Sequence, residues 1–248
     1  MGRKSSATSS GSLRERAYNH IQRGIASGDL LPDTAVSEVV LSRQLKMSRT
    51  PVREAINQLV AEGLLEQTPN RGTLVVRLKR RDVVELYELR EALEVYAARK
   101  AAQMTLRPAD LERWEQFSNE ILALRDELRQ DGHSTLNRDQ MRRFITSDLS
   151  FHNMLMRMSV NARILKVLND TRLLIRIFGM ERPGYDCATL ERIHDQHASI
   201  IAAVRNRDSE AASQILTQHI RTSLEERLQA YDHWERELSF QKSLPAFI

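Results

Sequence analysis

Ser48-Arg49-Thr50-Pro51-Val52-Arg53-Glu54-Ala55 opens a helix with two chemically distinct sides. Val52, Ile56, Leu59 and Val60 recur at helical spacing and predict one buried face. Arg49, Thr50 and Arg53 fall on the other side, with the two arginines one turn apart. Ser48 stands at the N-cap position, and Pro51 lies in the first turn, where a missing N–H costs little. Gly63 stops the helix. Upstream, Leu13, Ala17, Ile21 and Ile25 predict a helix over 13–27, ended by Gly28-Asp29, with a turn at Leu30-Leu31-Pro32-Asp33. A second helix is expected over 37–45, capped by Ser37, with Lys46-Met47 as the turn into the third. Downstream the period changes. Residues 64–67 and 73–76 read as short strands around Pro69-Asn70-Arg71-Gly72, a strong turn signal. Three helices followed by a β-hairpin are the pattern of a winged helix-turn-helix.

From Arg81 onward only helical patterns occur, over 82–104, 108–131, 138–159, 161–179, 187–206 and 208–233, with Asp208 as the last N-cap. Six such segments with short connections predict an antiparallel bundle. The expected fold is therefore mainly α. A tail over 1–11 precedes a winged helix-turn-helix over 12–78, a helical domain over 79–235 and a second tail over 236–248. Charge divides along the same boundary. Residues 1–80 hold 13 Lys+Arg against 7 Asp+Glu, whereas the remainder holds 24 against 26. A basic module on a near-neutral body fits nucleic-acid binding by the first part. No apolar run approaches the ~20 residues that span a bilayer. The single cysteine, Cys187, excludes an internal disulfide framework and fits a reducing compartment, so a cytoplasmic location is expected.

A helix set into the major groove needs the division of faces described above. Arginine suits guanine because its fork meets O6 and N7 together, and the helix N-terminus at Ser48 favours phosphate. Arg43 on the second helix and Arg71 at the wing tip are placed for flanking backbone contacts, with Gly72 allowing close approach. A second constellation lies in the bundle. Asp148 and His152 are four apart on one helix, and His197 and His219 sit on two others. One carboxylate and three imidazoles suit zinc, nickel, iron or manganese. By spacing alone, histidines in a bundle are more often surface or hydrogen-bonded core residues, and an Asp-x-x-x-His pair is common by chance. His20, His133 and His233 read as surface residues.

At this point the motifs resemble a known family. Ser48 to Ala55, Leu59, Glu62-Gly63-Leu64-Leu65 and Asn70-Arg71-Gly72-Thr73 are similar to the DNA-binding domain of GntR regulators. Residues 82–233 resemble the FCD effector domain of the FadR subfamily. The similarity is carried by Leu89-Arg90-Glu91-Ala92-Leu93-Glu94, Asp148-x-x-x-His152, Asn161, His197-Ala198-x-Ile200-Ile201 and His219-Ile220. The resemblance implies a transcription regulator, commonly a repressor, binding an inverted-repeat DNA operator as a homodimer. It also implies a divalent metal, zinc foremost, on Asp148, His152, His197 and His219, which helps to hold a small carboxylate effector. Arg90 and Arg172 are candidates to meet that carboxylate, and His194 to support the ligands. Three positions depart from the family pattern: Asp33 stands where Gly is usual, Val39 where some members read DNA with Arg, and Gln196 where many have Glu. The competing reading is a metal-dependent enzyme acting on a small carboxylate, with a DNA-binding appendage. Four protein ligands leave it few open coordination positions, and no general base accompanies them.

Overall fold

The computed structural model describes residues 7–165, 167 and 184–243. The chain divides into two compact units, the first over residues 1–78 and the second over most of the remainder.

In the first unit, α1 (Ala7–Ser27), α2 (Glu38–Gln44) and α3 (Arg49–Ala61) precede the strands β1 (Leu65–Thr68) and β2 (Gly72–Val75). The expected periodicity is realised. Ala17, Ile21 and Ile25 of α1 pack with Leu41 of α2, Val52, Ala55, Ile56 and Leu59 of α3, and Leu65 and Val75 of the hairpin. Ser37 caps α2 by accepting from the Val40 amide. Ser48 occupies the N-cap of α3 but makes no side-chain cap bond, so the capping bond expected there does not form. The strands pair antiparallel from Leu65↔Val75 to Thr68↔Gly72. Asn70 and Gly72 take left-handed φ values of 63° and 78° in the turn between them. The α1–α2 linker adds a pairing to β2: Ala35 bridges Leu74, and Val36 N donates to Thr73 O. Asp33 adopts φ 64°, the conformation that glycine would enter freely. Its carboxylate accepts from Arg77 Nε at 2.5 Å, and its amide donates to Val75 O. The usual glycine is thus replaced by one of the few other residue types that tolerate this region.

The second unit contains α4 (Arg80–Ala102), α5 (Pro108–Asp131), α6 (Arg138–Met158), α7 (Cys187–Arg205) and α8 (Ser209–Ser243). Each start has a local cause. Pro108 opens α5. Asn137 and Gln140 form a reciprocal capping box on α6, and Asp186 and Asp208 accept from Thr189 and Ala211 amides to begin α7 and α8. Helices α4 and α8, α5 and α7, α5 and α6, α7 and α8, and α4 and α6 pack together. Trp114, Ile121, Leu124, Phe151, Leu155, Leu190, Ile200 and Leu216 lie in the interior.

Two boundaries differ from the sequence reading. Residues from Ala7 are already helical, where a tail over 1–11 is expected, and α8 continues to Ser243, through most of the expected tail over 236–248. Extending an existing helix adds a hydrogen bond for each residue fixed, so α8 continues through 236–243, which holds neither Gly nor Pro; the extension of α1 runs through Gly11 and has no such local cause. Of the segment expected over 161–179, residues 162–165 are helical, with Asn161 Oδ1 accepting from the Arg163 and Ile164 amides; residues 168–179 lie outside the described residues.

Candidate functional site

The exposed side of α3 carries Arg49, Thr50 and Arg53, while Pro51, Val52, Ala55 and Ile56 are buried. Arg43 and Val39 are exposed on α2, and Arg71 is exposed in the hairpin turn. The sequence-expected reading surface is therefore free of the core. It also contains a residue that sequence reasoning missed. Glu38, at the start of α2, accepts from Arg53 Nε at 2.9 Å, Arg53 Nη2 at 3.0 Å and Arg49 Nη2 at 3.2 Å. The hydrogen bond from Arg53 holds its carboxyl below the usual range despite the opposing effect of burial.

In the second unit, α6, α7 and α8 bring Asp148, His152, His197 and His219 together, with one ligand atom from each within 4.8 Å of all the others. The i, i+4 spacing puts Asp148 and His152 on one face of α6. Asp148 Oδ1 lies 3.8 Å from His152 Nε2 and 3.6 Å from His197 Nε2, and His152 Nε2 lies 3.3 Å from His219 Nε2. The three histidines are buried and Asp148 partly exposed. Aromatic packing sets the ring of His197, which stacks face to face on Phe151 at 3.7 Å; Phe151 in turn stacks on Trp114 at 5.0 Å.

Polar partners hold the outer ring nitrogens of the other two histidines. His219 Nδ1 is 2.8 Å from Gln196 Oε1. His152 Nδ1 is 2.7 Å from Glu94 Oε2. Glu94 accepts from Arg90 Nε at 2.8 Å, and both members of this α4 pair are buried, at 2% and 5% exposed. Burial pushes the Glu94 carboxyl up, but Arg90 and His152 outweigh that and keep it ionised. Burial drives His197 and His219 well below the ordinary histidine value of 6.5, and neighbouring positive charge adds to the effect. Both are therefore neutral at neutral pH, the form that ligates metal.

Among the described residues, neither nitrogen of His197 has a hydrogen-bond partner, although both are buried. Such orphans are costly in a native interior unless something else occupies their lone pair. Three imidazoles and one carboxylate, with acceptors facing the outer nitrogens of His152 and His219, match the donor set of a zinc-type site and part of its supporting shell. The residues fit a divalent metal.

Beside these ligands lies a small polar cavity of about 10 Å³, room for about one water, lined by Asp148, Tyr185, Arg192, His219, Ser223 and Arg227, among others. Arg192 and Glu226 form an ion pair in its wall. Arg227 donates from Nε to Tyr87 Oη at 3.0 Å, while its buried Nη1 has no partner among the described residues. Sequence reasoning passed over Arg227, although His219, Ser223 and Arg227 recur every four residues along α8. Arg90, a candidate effector contact, is occupied by Glu94, with Nη2 unpaired among the described residues. Arg172 lies outside the described residues. His194 does not support the ligands as expected: its Nδ1 lies 3.3 Å from its neighbour Asp195, and Gln196 makes the contact to His219 instead. His20, His133 and His233 are exposed.

A basic helix projecting beside a β-hairpin defines a winged-helix DNA-binding protein. The comparisons with known proteins carry this further. Residues 13–75 match the model described as bacterial regulatory proteins, gntR family, and residues 85–222 match the FCD domain. The chain is 32% identical over 199 residues to the Nta operon transcriptional regulator of Aminobacter aminovorans, covering 80% of this chain and 86% of that one. It is likewise 32% identical over 196 residues to a protein of Paenarthrobacter nicotinovorans named as a D-xylose utilization operon transcriptional repressor, covering 79% and 80%. In fold it is similar to E. coli McbR/YncC, with a TM-score of 0.70 at 21% identity over 88% of this chain and 98% of that one. A GntR regulator from Rhodococcus sp. RHA1 gives 0.73 at 22% identity over 89% and 99%. The chain belongs to the GntR family of bacterial regulators and carries an FCD domain. It is a DNA-binding transcription regulator rather than an enzyme, which sets aside the metalloenzyme alternative. Among the described residues, no helix is long and apolar enough to cross a membrane.

Proposed function

We propose that this regulator is gated by a small carboxylate that binds beside a divalent metal held by Asp148, His152, His197 and His219. The observation that carries the reading is the convergence of these four ligand atoms within 4.8 Å. The orphaned Nε2 of His197, on the side of Asp148, and the acceptors behind His152 and His219 support it. Zinc is the leading candidate from the donor set, with nickel, iron and manganese as the other candidates. When bound, the metal would supply a positive charge able to attract an anionic oxygen. The chain's own residues do the remainder. Arg227 directs an unpaired N–H from the cavity wall, a ready partner for a carboxylate. Arg90 holds Glu94 in its ionised form, which keeps a negative charge behind His152.

The protein acts as a homodimer on an inverted-repeat operator, because a two-fold protein matches a two-fold site. Arg49, Thr50 and Arg53 read bases, and Arg43, Ser48, Arg71 and Gly72 meet the backbone. An effector that binds one arrangement of the helical domains more tightly shifts the population toward it, and operator affinity changes by the same coupling. Repression relieved by effector is the proposed direction, in keeping with the repressor named among its relatives.

A thermal-shift screen of mono- and dicarboxylates and sugar acids tests this reading on zinc-loaded, chelated and His152→Ala protein. The expected result is that zinc raises the melting temperature, and that at least one carboxylate raises it further only when zinc is bound. Equal zinc content in wild type and His152→Ala would refute the ligand set.

A further inference from the structure

Glu38 sits where an acidic residue is electrostatically unwelcome. The surface it shares with Arg49 and Arg53 faces a phosphate-rich partner, and a carboxylate there opposes binding to every DNA sequence alike. Its geometry supplies a compensating role. Glu38 Oε1 and Oε2 take the Nε and Nη2 donors of Arg53, while Oε2 also takes Nη2 of Arg49. A guanidinium presents two usable edges. Occupying the Nε–Nη2 edge of Arg53 leaves the outer Nη1–Nη2 fork, the one that meets guanine O6 and N7. Both arginines are more than half exposed, at 59% and 55% of their side-chain surface, and among the described residues Glu38 is the side-chain partner that orients each of them.

We propose that Glu38 is a positioning residue for base readout: it presets the forks of Arg53 and Arg49, raising sequence discrimination while lowering affinity for arbitrary DNA. The inference rests on the proposed reading that these two arginines contact bases. An exposed ion pair contributes little to folding, and Ser37 still caps α2, so variants at this position keep the fold.

The test uses the full-length protein and a duplex selected from a random pool by the wild type. Dissociation constants for that duplex, for copies with single guanines replaced, and for an unrelated duplex are measured for wild type, Glu38→Gln, Glu38→Ala and Arg53→Ala, with melting temperatures recorded in parallel. In Glu38→Ala the unrelated duplex should bind several-fold more tightly. The ratio between selected and unrelated duplex should fall by about tenfold, a typical loss for one disordered bidentate contact. Glu38→Gln, which keeps an acceptor, should fall between. An unchanged ratio in both Glu38 variants overturns the inference, whether absolute affinity rises, falls or stays level. If Arg53→Ala binds the selected duplex as wild type does, the assignment of the reading helix falls instead. If Arg53→Ala loses discrimination while both Glu38 variants keep it, only the role of Glu38 is refuted.

Discussion

Replacing Glu94 by alanine tests how the cluster is supported. Glu94 and Arg90 are 2% and 5% exposed and bonded at 2.8 Å, with Glu94 Oε2 a further 2.7 Å from His152 Nδ1. Glu94→Ala leaves the Arg90 charge buried without its partner. Removing one member of such a pair costs about 3–5 kcal/mol. At ~2–4 °C per kcal/mol for a domain of this size, the melting temperature of the chelated protein should fall by about 6–20 °C. Loss of the acceptor behind His152 should also weaken zinc binding by about 10–100-fold. Glu94→Gln should be milder, because one amide oxygen can accept from Arg90 or from His152 but not from both. The double variant Arg90→Met/Glu94→Leu buries no charge and should recover stability to within about 2 kcal/mol of wild type, with zinc affinity still reduced. Urea unfolding of chelated protein and zinc titration against a competing chelator measure the two quantities separately. A Glu94→Ala protein within about 1 kcal/mol of wild type, or one with unchanged zinc affinity, would refute the reasoning.

The wing, the pH response and a backbone contact give three more tests. Arg71→Ala should weaken selected and unrelated duplexes alike and lower the salt slope of binding by about one; a selective loss on the selected duplex alone would instead make Arg71 a base reader. In chelated protein, His197 and His219 are neutral when folded, whereas the unfolded chain protonates them below 6.5. The unfolded state then binds more protons, so stability is level above 6.5 and falls as pH drops from 6.5 toward their lowered native values, by up to about 1.4 kcal/mol per pH unit for each group. A His197→Gln/His219→Gln variant with the same slope between pH 6.5 and 5.5 would exclude these two groups as its origin. Gly184→Ala would place a Cβ 1.9 Å from Leu136 O, next to the bond from Leu136 N to Tyr185 O. The backbone must move, at a cost of about 1–3 kcal/mol in urea unfolding, and an unchanged midpoint would contradict the close approach.

Much of the fold was legible because it is written in local chemistry. The period of Val52, Ile56 and Leu59 sets the buried face of α3, and Asp208 caps the last helix as its residue type suggests. What escaped depends on neighbours distant in sequence. The bridge from Ala35 to Leu74 is made by backbone, which leaves no side-chain pattern to read. Glu38 meets Arg53 across 15 residues of chain, and nothing in the order of residues shows that α2 and α3 place them together. Asp148 and His152 declare a shared face by their spacing. His197 and His219 join them only through the packing of α7 and α8, so residue spacing left the cluster undecided and family resemblance was needed to pair them. Gln196 illustrates the same limit: it adjoins His197 in sequence but bonds His219 on the next helix.

The most direct test of effector gating is operator affinity under matched conditions. Fluorescence anisotropy on the selected duplex should be run with zinc-loaded, chelated and His152→Ala protein, each with and without the carboxylate that raises the melting temperature. The account predicts an affinity change of about 5–150-fold for the zinc-loaded protein alone, the range of ordinary allosteric coupling. Superimposable binding curves with and without the carboxylate in the zinc-loaded protein would contradict it.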